Sequence, residues 1–156
     1  MKSLGQQIEN LERFLRNLTH LGEGDIYVNF EEVIRLNKEI RAGIEVLYPK
    51  QGCDANEEAA LCSALLHAYS CLMYQDTKDE ARKQALVERS AELLRNLPVS
   101  FVKCRLLVYC YGEVNEPDFA SEAHALMDSW QGRTLSEKEQ ELVNTLRLLE
   151  ENHSSL

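Results

Sequence analysis

Glycine and proline are scarce, seven and three in 156 residues, and β-branched residues are sparse beside Leu, Ala, Glu, Arg and Lys. Strong helix formers therefore dominate, and an all-helical fold is expected. Nothing resembles the glycine-rich loop that cradles a phosphate. No Cys-x-x-Cys pair occurs, and the five cysteines, at 53, 62, 71, 104 and 110, are odd in number. That pattern fits reduced thiols in a cytosol better than a disulfide framework. The N-terminus lacks the continuous apolar core of a secretion signal. The longest uncharged run, Ala59 to Tyr74, is interrupted by Ser63, His67 and Ser70, short of the ~20 predominantly apolar residues that span a bilayer. A soluble, cytoplasmic protein is expected.

Basic clusters are also missing. The net charge is −9 and the pI about 5.0. The tightest basic group, Lys78, Arg82 and Lys83, is mixed with Asp76, Asp79 and Glu80. Nucleic acid would be repelled at long range, so no direct nucleic-acid binding is expected.

What the chain does contain is 44% hydrophobic and 28% charged residues, an ordinary globular composition with enough length to bury one core. The periodicity predicts about seven helices in a single domain over residues 1–152, with 153–156 a disordered tail and the last helix fraying from Glu150. The helices are expected as antiparallel pairs stacked in a bundle or tetratricopeptide-like arrangement. Leu4, Ile8, Leu11, Leu15 and Leu18 form one narrow stripe, which could be a seam within the chain or between chains. Leu21 to Asn29 reads as a loop with an Ile26-Tyr27-Val28 anchor. Asn29 and Glu32 stand at capping-box spacing before a helix whose apolar side is Phe30, Val33, Leu36, Ile40, Ile44 and Leu47. Pro49 ends it.

A third helix, about Glu57 to Tyr74, is apolar almost all round and belongs in the interior. Asp76, Thr77 and Asp79 can start a fourth, burying Leu86, Val87, Leu93, Leu94 and Leu97. Ser100 caps a fifth, Phe101 to Tyr111, with Gly112 where a left-handed cap is wanted. Pro117 suits the first turn of a sixth, which runs to Trp130 and stops at Gly132. Ser136 and Glu139, at capping-box spacing, open a seventh that buries Leu142, Val143, Leu146 and Leu149.

Catalytic constellations are not apparent. Cys62 and Cys71 lie on opposite sides of one helix. His67 and Cys71, four apart, are only two ligands, whereas structural zinc takes four in recognisable pairs. The thiols are expected to be structural and at least half-buried, in apolar or acidic company unsuited to a nucleophile. Acidic pairs such as Glu31-Glu32 fit solvated helix starts. No metal, cofactor or enzymatic activity is expected. The aromatics Tyr109, Tyr111 and Trp130 suit either a core edge or an interface, with core packing favoured. Arg105, inside an apolar segment, calls for a carboxylate or carbonyl partner such as Glu113 or Asp128.

Four segments carry a resemblance: Glu57-Glu-Ala-Ala-Leu-Cys-Ser-Ala-Leu-Leu-His-Ala-Tyr69, Leu97-Pro98, Lys103-Cys-Arg-Leu-Leu-Val-Tyr-Cys-Tyr-Gly-Glu113 and Glu122-Ala-His-Ala-Leu-Met-Asp-Ser-Trp130. Together they resemble the UpxZ family, known from capsular polysaccharide loci of Bacteroides-type bacteria. The resemblance implies a non-enzymatic transcription regulator. It would inhibit non-cognate NusG-like antiterminators of capsular polysaccharide operons by protein-protein binding. The implied partner is such an antiterminator, or its complex with RNA polymerase. A generic tetratricopeptide-like adaptor unrelated to transcription is the alternative. The resemblance transfers no contact residues. From the residues themselves, the polar and aromatic margin Arg105, Tyr109, Tyr111, Glu113, His124 and Asp128 is the candidate partner surface.

Overall fold

The computed structural model describes residues 2–21 and 29–154. Among them are seven α-helices and no strand: α1 Leu4–Thr19, α2 Phe30–Leu47, α3 Ala55–Ser70, α4 Thr77–Leu94, α5 Phe101–Val114, α6 Pro117–Asp128 and α7 Glu137–Ser154. The all-α expectation holds. Contacts divide the chain into two compact units, Met1–Leu86 and Val87–Leu156. The expected Ile26-Tyr27-Val28 anchor lies outside the described residues.

In the first unit, Ser3 and Gln6 close a reciprocal capping box that satisfies two otherwise orphaned amides of α1. Ile8, Leu11 and Leu15 are buried, and α1 packs on α2 and α3. The leucine stripe is thus a seam within the chain, with each fully buried aliphatic side chain contributing about 1.5–3 kcal/mol. Gly43 permits the close approach of α1 to α2, since a Cβ there would stand 3.0 Å from Leu11 Cδ1.

On α2, Leu36, Ile40, Ile44 and Leu47 are buried. Phe30, expected with them, is 63% exposed. At roughly 100° per residue it falls about 80° from the centre of that stripe. The Asn29 side chain accepts from the amides of Glu31 and Glu32, as expected of an N-cap, but the Glu32 carboxylate turns to Arg35 instead of reaching back.

The third helix is nearly all buried, as its sequence suggested, but it ends at Ser70 and not at Tyr74. Its continuation is captured from outside. Asn37 Oδ1 accepts the Met73 amide at 2.8 Å, Arg41 donates to the Tyr74 carbonyl at 3.2 Å, and the Gln75 side chain donates to the Tyr69 carbonyl. Met73 and Tyr74 are consequently exposed. The same arginine grips Asp79 with two hydrogen bonds of 2.6 and 2.8 Å, while Asp76 and Asp79 exchange backbone-to-side-chain bonds that cap α4. Asp79 is 1% exposed, and its carboxyl lies well below the usual range because of Arg41, with the Asp76 amide adding to the effect.

In the second unit, Ser100 caps α5 through the Lys103 amide. The cap at its other end corrects the sequence reading. The helix passes through Gly112, and Asn115 takes the left-handed conformation at φ 59°. Asparagine tolerates that region better than most residues. Gly112 serves packing instead, because a Cβ there would lie 3.2 Å from Leu149 Cδ1. Pro117 is in the first turn of α6, which ends at Asp128, two residues before Trp130. Gly132, at φ +82°, lies in the loop beyond. Ser136 and Glu139 form the anticipated capping box. Leu142 and Leu146 are buried on α7, which continues through Ser154 instead of fraying from Glu150.

Candidate functional site

The second unit contains a groove of about 1190 Å³ formed by the end of α5, the outer face of α6, the α6–α7 loop and α7. Helical spacing explains its walls. His124 and Asp128 are four apart on α6, and Leu146, Glu150 and His153 follow one another at four and three on α7. Tyr111 enters from α5, and its ring meets His153 edge-on at 4.8 Å and 67°. His124 Nε2 stands 2.7 Å from Glu150 Oε1, linking α6 to α7 beside the groove.

The loop supplies the remaining wall. Trp130 stacks on Phe101 at 6.2 Å between centroids, and the Arg133 guanidinium lies 5.9 Å from the indole. Arg133 also donates two hydrogen bonds to Glu139, of 2.9 and 2.6 Å. Those bonds, with the Ser136 amide, lower the Glu139 carboxyl to about 2 and raise Arg133. The positive phi of Gly132 permits the turn that presents Trp130 and Arg133 together.

Of the six residues singled out from sequence, Tyr111, His124 and Asp128 meet in this groove. Arg105, Tyr109 and Glu113 do not line it. Arg105 and Tyr109, four apart on α5, pair with each other, the guanidinium 5.5 Å from the ring. Tyr109 and Tyr111 point about 200° apart around the helix, so they cannot share one surface. Trp130, weighed from the sequence as a core-edge or interface aromatic but left out of the candidate surface, also lines the groove, whereas Glu150 and His153 were missed. The last two continue the Leu142, Leu146 stripe, a signal the acidic composition of the tail obscured.

Among the described residues, no three His, Cys, Asp or Glu side chains are placed to hold a metal, and no helix is long and apolar enough to cross a membrane. Cys62, Cys104 and Cys110 are buried, Cys71 is half-buried, and Cys53 is exposed, contrary to the expectation that all would be covered. Cys53 sits in the polar linker before α3, outside any apolar helical face. Burial pushes the Cys104 thiol up to about 12 and raises Cys71, while the Glu57 carboxylate and then Asp54 raise Cys53. A nucleophilic cysteine needs the opposite shift.

A family model described as the UpxZ family of transcription anti-terminator antagonists matches residues 8–112. The chain belongs to the UpxZ family. It is also similar to a solved structure, a transcription anti-terminator antagonist UpxZ from Bacteroides uniformis ATCC 8492, with 34% identity and a TM-score of 0.85. That likeness covers 97% of this chain and 95% of the other. No curated protein matches significantly. The UpxZ family match ends at residue 112, so α6 and α7, which build most of the groove, lie beyond it, whereas the structural likeness takes in nearly the whole chain.

Proposed function

We propose that this UpxZ-family chain suppresses transcription antitermination by occupying a protein surface. Its target is a NusG-like antiterminator of a non-cognate capsular polysaccharide operon, alone or in its complex with RNA polymerase. Family membership carries this reading. The acidity of the chain supports a protein target over nucleic acid, since a net charge of −9 opposes approach to a polyanion. The raised thiols and the lack of a metal-ligand cluster among the described residues fit an antagonist that acts by binding, without turnover. The groove margin of Tyr111, His124 and Asp128 is the surface assigned to that contact. Arg105, Tyr109 and Glu113 stand on a separate flank of α5 as a second region to mutate.

The deciding experiment is transcription with purified polymerase, one antiterminator at a time and increasing amounts of this chain. Readthrough should fall to a plateau at stoichiometric amounts for at least one non-cognate antiterminator, and the effect should weaken as salt rises. Unchanged readthrough with every antiterminator would overturn the proposal.

A further inference from the structure

We infer that the groove between α5, α6 and α7 docks a protein segment carrying a bulky apolar side chain flanked by lysine or arginine. The inference rests on the reading of this chain as a protein-binding antagonist and specifies the chemistry of what is bound. Size is the first consideration. At about 1190 Å³ the groove exceeds the range of roughly 300–1,000 Å³ usual for small-molecule pockets and has room for several residues of a polypeptide. Its apolar parts suit an anchor: Met127 is unbranched and adaptable, Trp130 offers flat, rigid area, and the buried Tyr111 ring forms the floor between them.

Charge selects the flanks. Asp128, Glu150 and Glu151 line the groove, against Arg133 and Arg147. Arg133 is already engaged by Glu139 through two hydrogen bonds, and the partner of Glu150 is His124, not an arginine or lysine. Three carboxylates thus line the groove against two guanidinium groups, one of them also engaged by Glu139, and a cation beside the anchor gains attraction where an acidic segment is repelled. The same argument disfavours a second copy as occupant, because two chains of charge −9 repel each other.

Trp130 is the sole tryptophan and lines the groove, so its fluorescence reports occupancy there. The probe is a short helical peptide of leucine and lysine without tryptophan, titrated into the full chain. A saturable change in emission is expected, with affinity falling as salt rises. The paired change Asp128→Lys and Glu150→Lys should weaken binding about tenfold or more. The same reversal at exposed Glu9 and Glu88, which matches the net charge, should leave affinity within about twofold. No saturable change, an equal response to a leucine–glutamate peptide, or an equal loss in the charge-matched control would each overturn the inference. So would emission that depends on protein concentration without peptide, the mark of a second copy in the groove. Readthrough assayed in parallel separates the two readings. Peptide binding without antagonism keeps the groove and removes the antagonist; antagonism retained in a chain with no peptide response does the reverse.

Discussion

Replacing Asp79 with asparagine tests whether one buried carboxylate holds the α3–α4 loop against α2. Asp79 is 1% exposed and accepts two hydrogen bonds from Arg41 and one from the Asp76 amide. Asp79→Asn keeps the volume but removes the charge and one of the acceptors facing the guanidinium. An exposed ion pair is worth about 0–1 kcal/mol, whereas breaking a fully buried one costs about 3–5 kcal/mol. The Arg41 side chain is 34% exposed and regains water when the pair is lost, which places the cost between these limits. The expected loss is about 2 kcal/mol, or a fall in Tm of roughly 4–8 °C for a chain of this size.

Urea unfolding followed by circular dichroism measures this loss, and a double-mutant cycle with Arg41→Met isolates the pair. Acid provides an independent check of sign. The folded carboxyl is held below its unfolded value, so its contribution is complete above pH ~4 and disappears as pH falls through the depressed folded value. The gap between wild type and Asp79→Asn should therefore narrow below pH ~4. A difference under about 0.5 kcal/mol at neutral pH, or one that widens in acid, would refute the reasoning.

Two other predictions concern reactivity and titration. Alkylation followed by mass spectrometry should label Cys53 first and Cys71 more slowly, with Cys62, Cys104 and Cys110 labelled only on unfolding; equal rates at all five would contradict the burial pattern. By carbon NMR the Glu139 carboxyl should titrate near 2, and Arg133→Met should move it toward 4.5. Because the folded value is lowered, the Glu139 contact stabilises the start of α7 above the unfolded value and is lost as pH falls toward 2. A midpoint that Arg133→Met leaves unmoved would remove the arginine as its cause.

Much of the helical order was legible because it is local. Asn29, Ser100 and Ser136 cap through neighbouring amides, and Pro117 sits where a missing N–H is harmless, so short spacings carry the information. The two misread helix ends involve partners distant in sequence. Tyr74 looked like helix until Arg41 took its carbonyl, and Gly112 looked like a cap until Leu149 packed over it.

The candidate site divides in the same way. The residues of α5 and α6 flagged by sequence belong to two surfaces, because a helix faces several directions while a sequence window records only their mixture. Composition and periodicity determined an acidic, all-helical chain, and the motif segments determined its family resemblance, since these properties reside in residue identity and short spacing. Only tertiary structure could gather Tyr111, His124, Asp128, Trp130 and Glu150 around one groove. Their proximity depends on how α6 and α7 pack against α5, and pairings across tens of residues leave no local periodic signal.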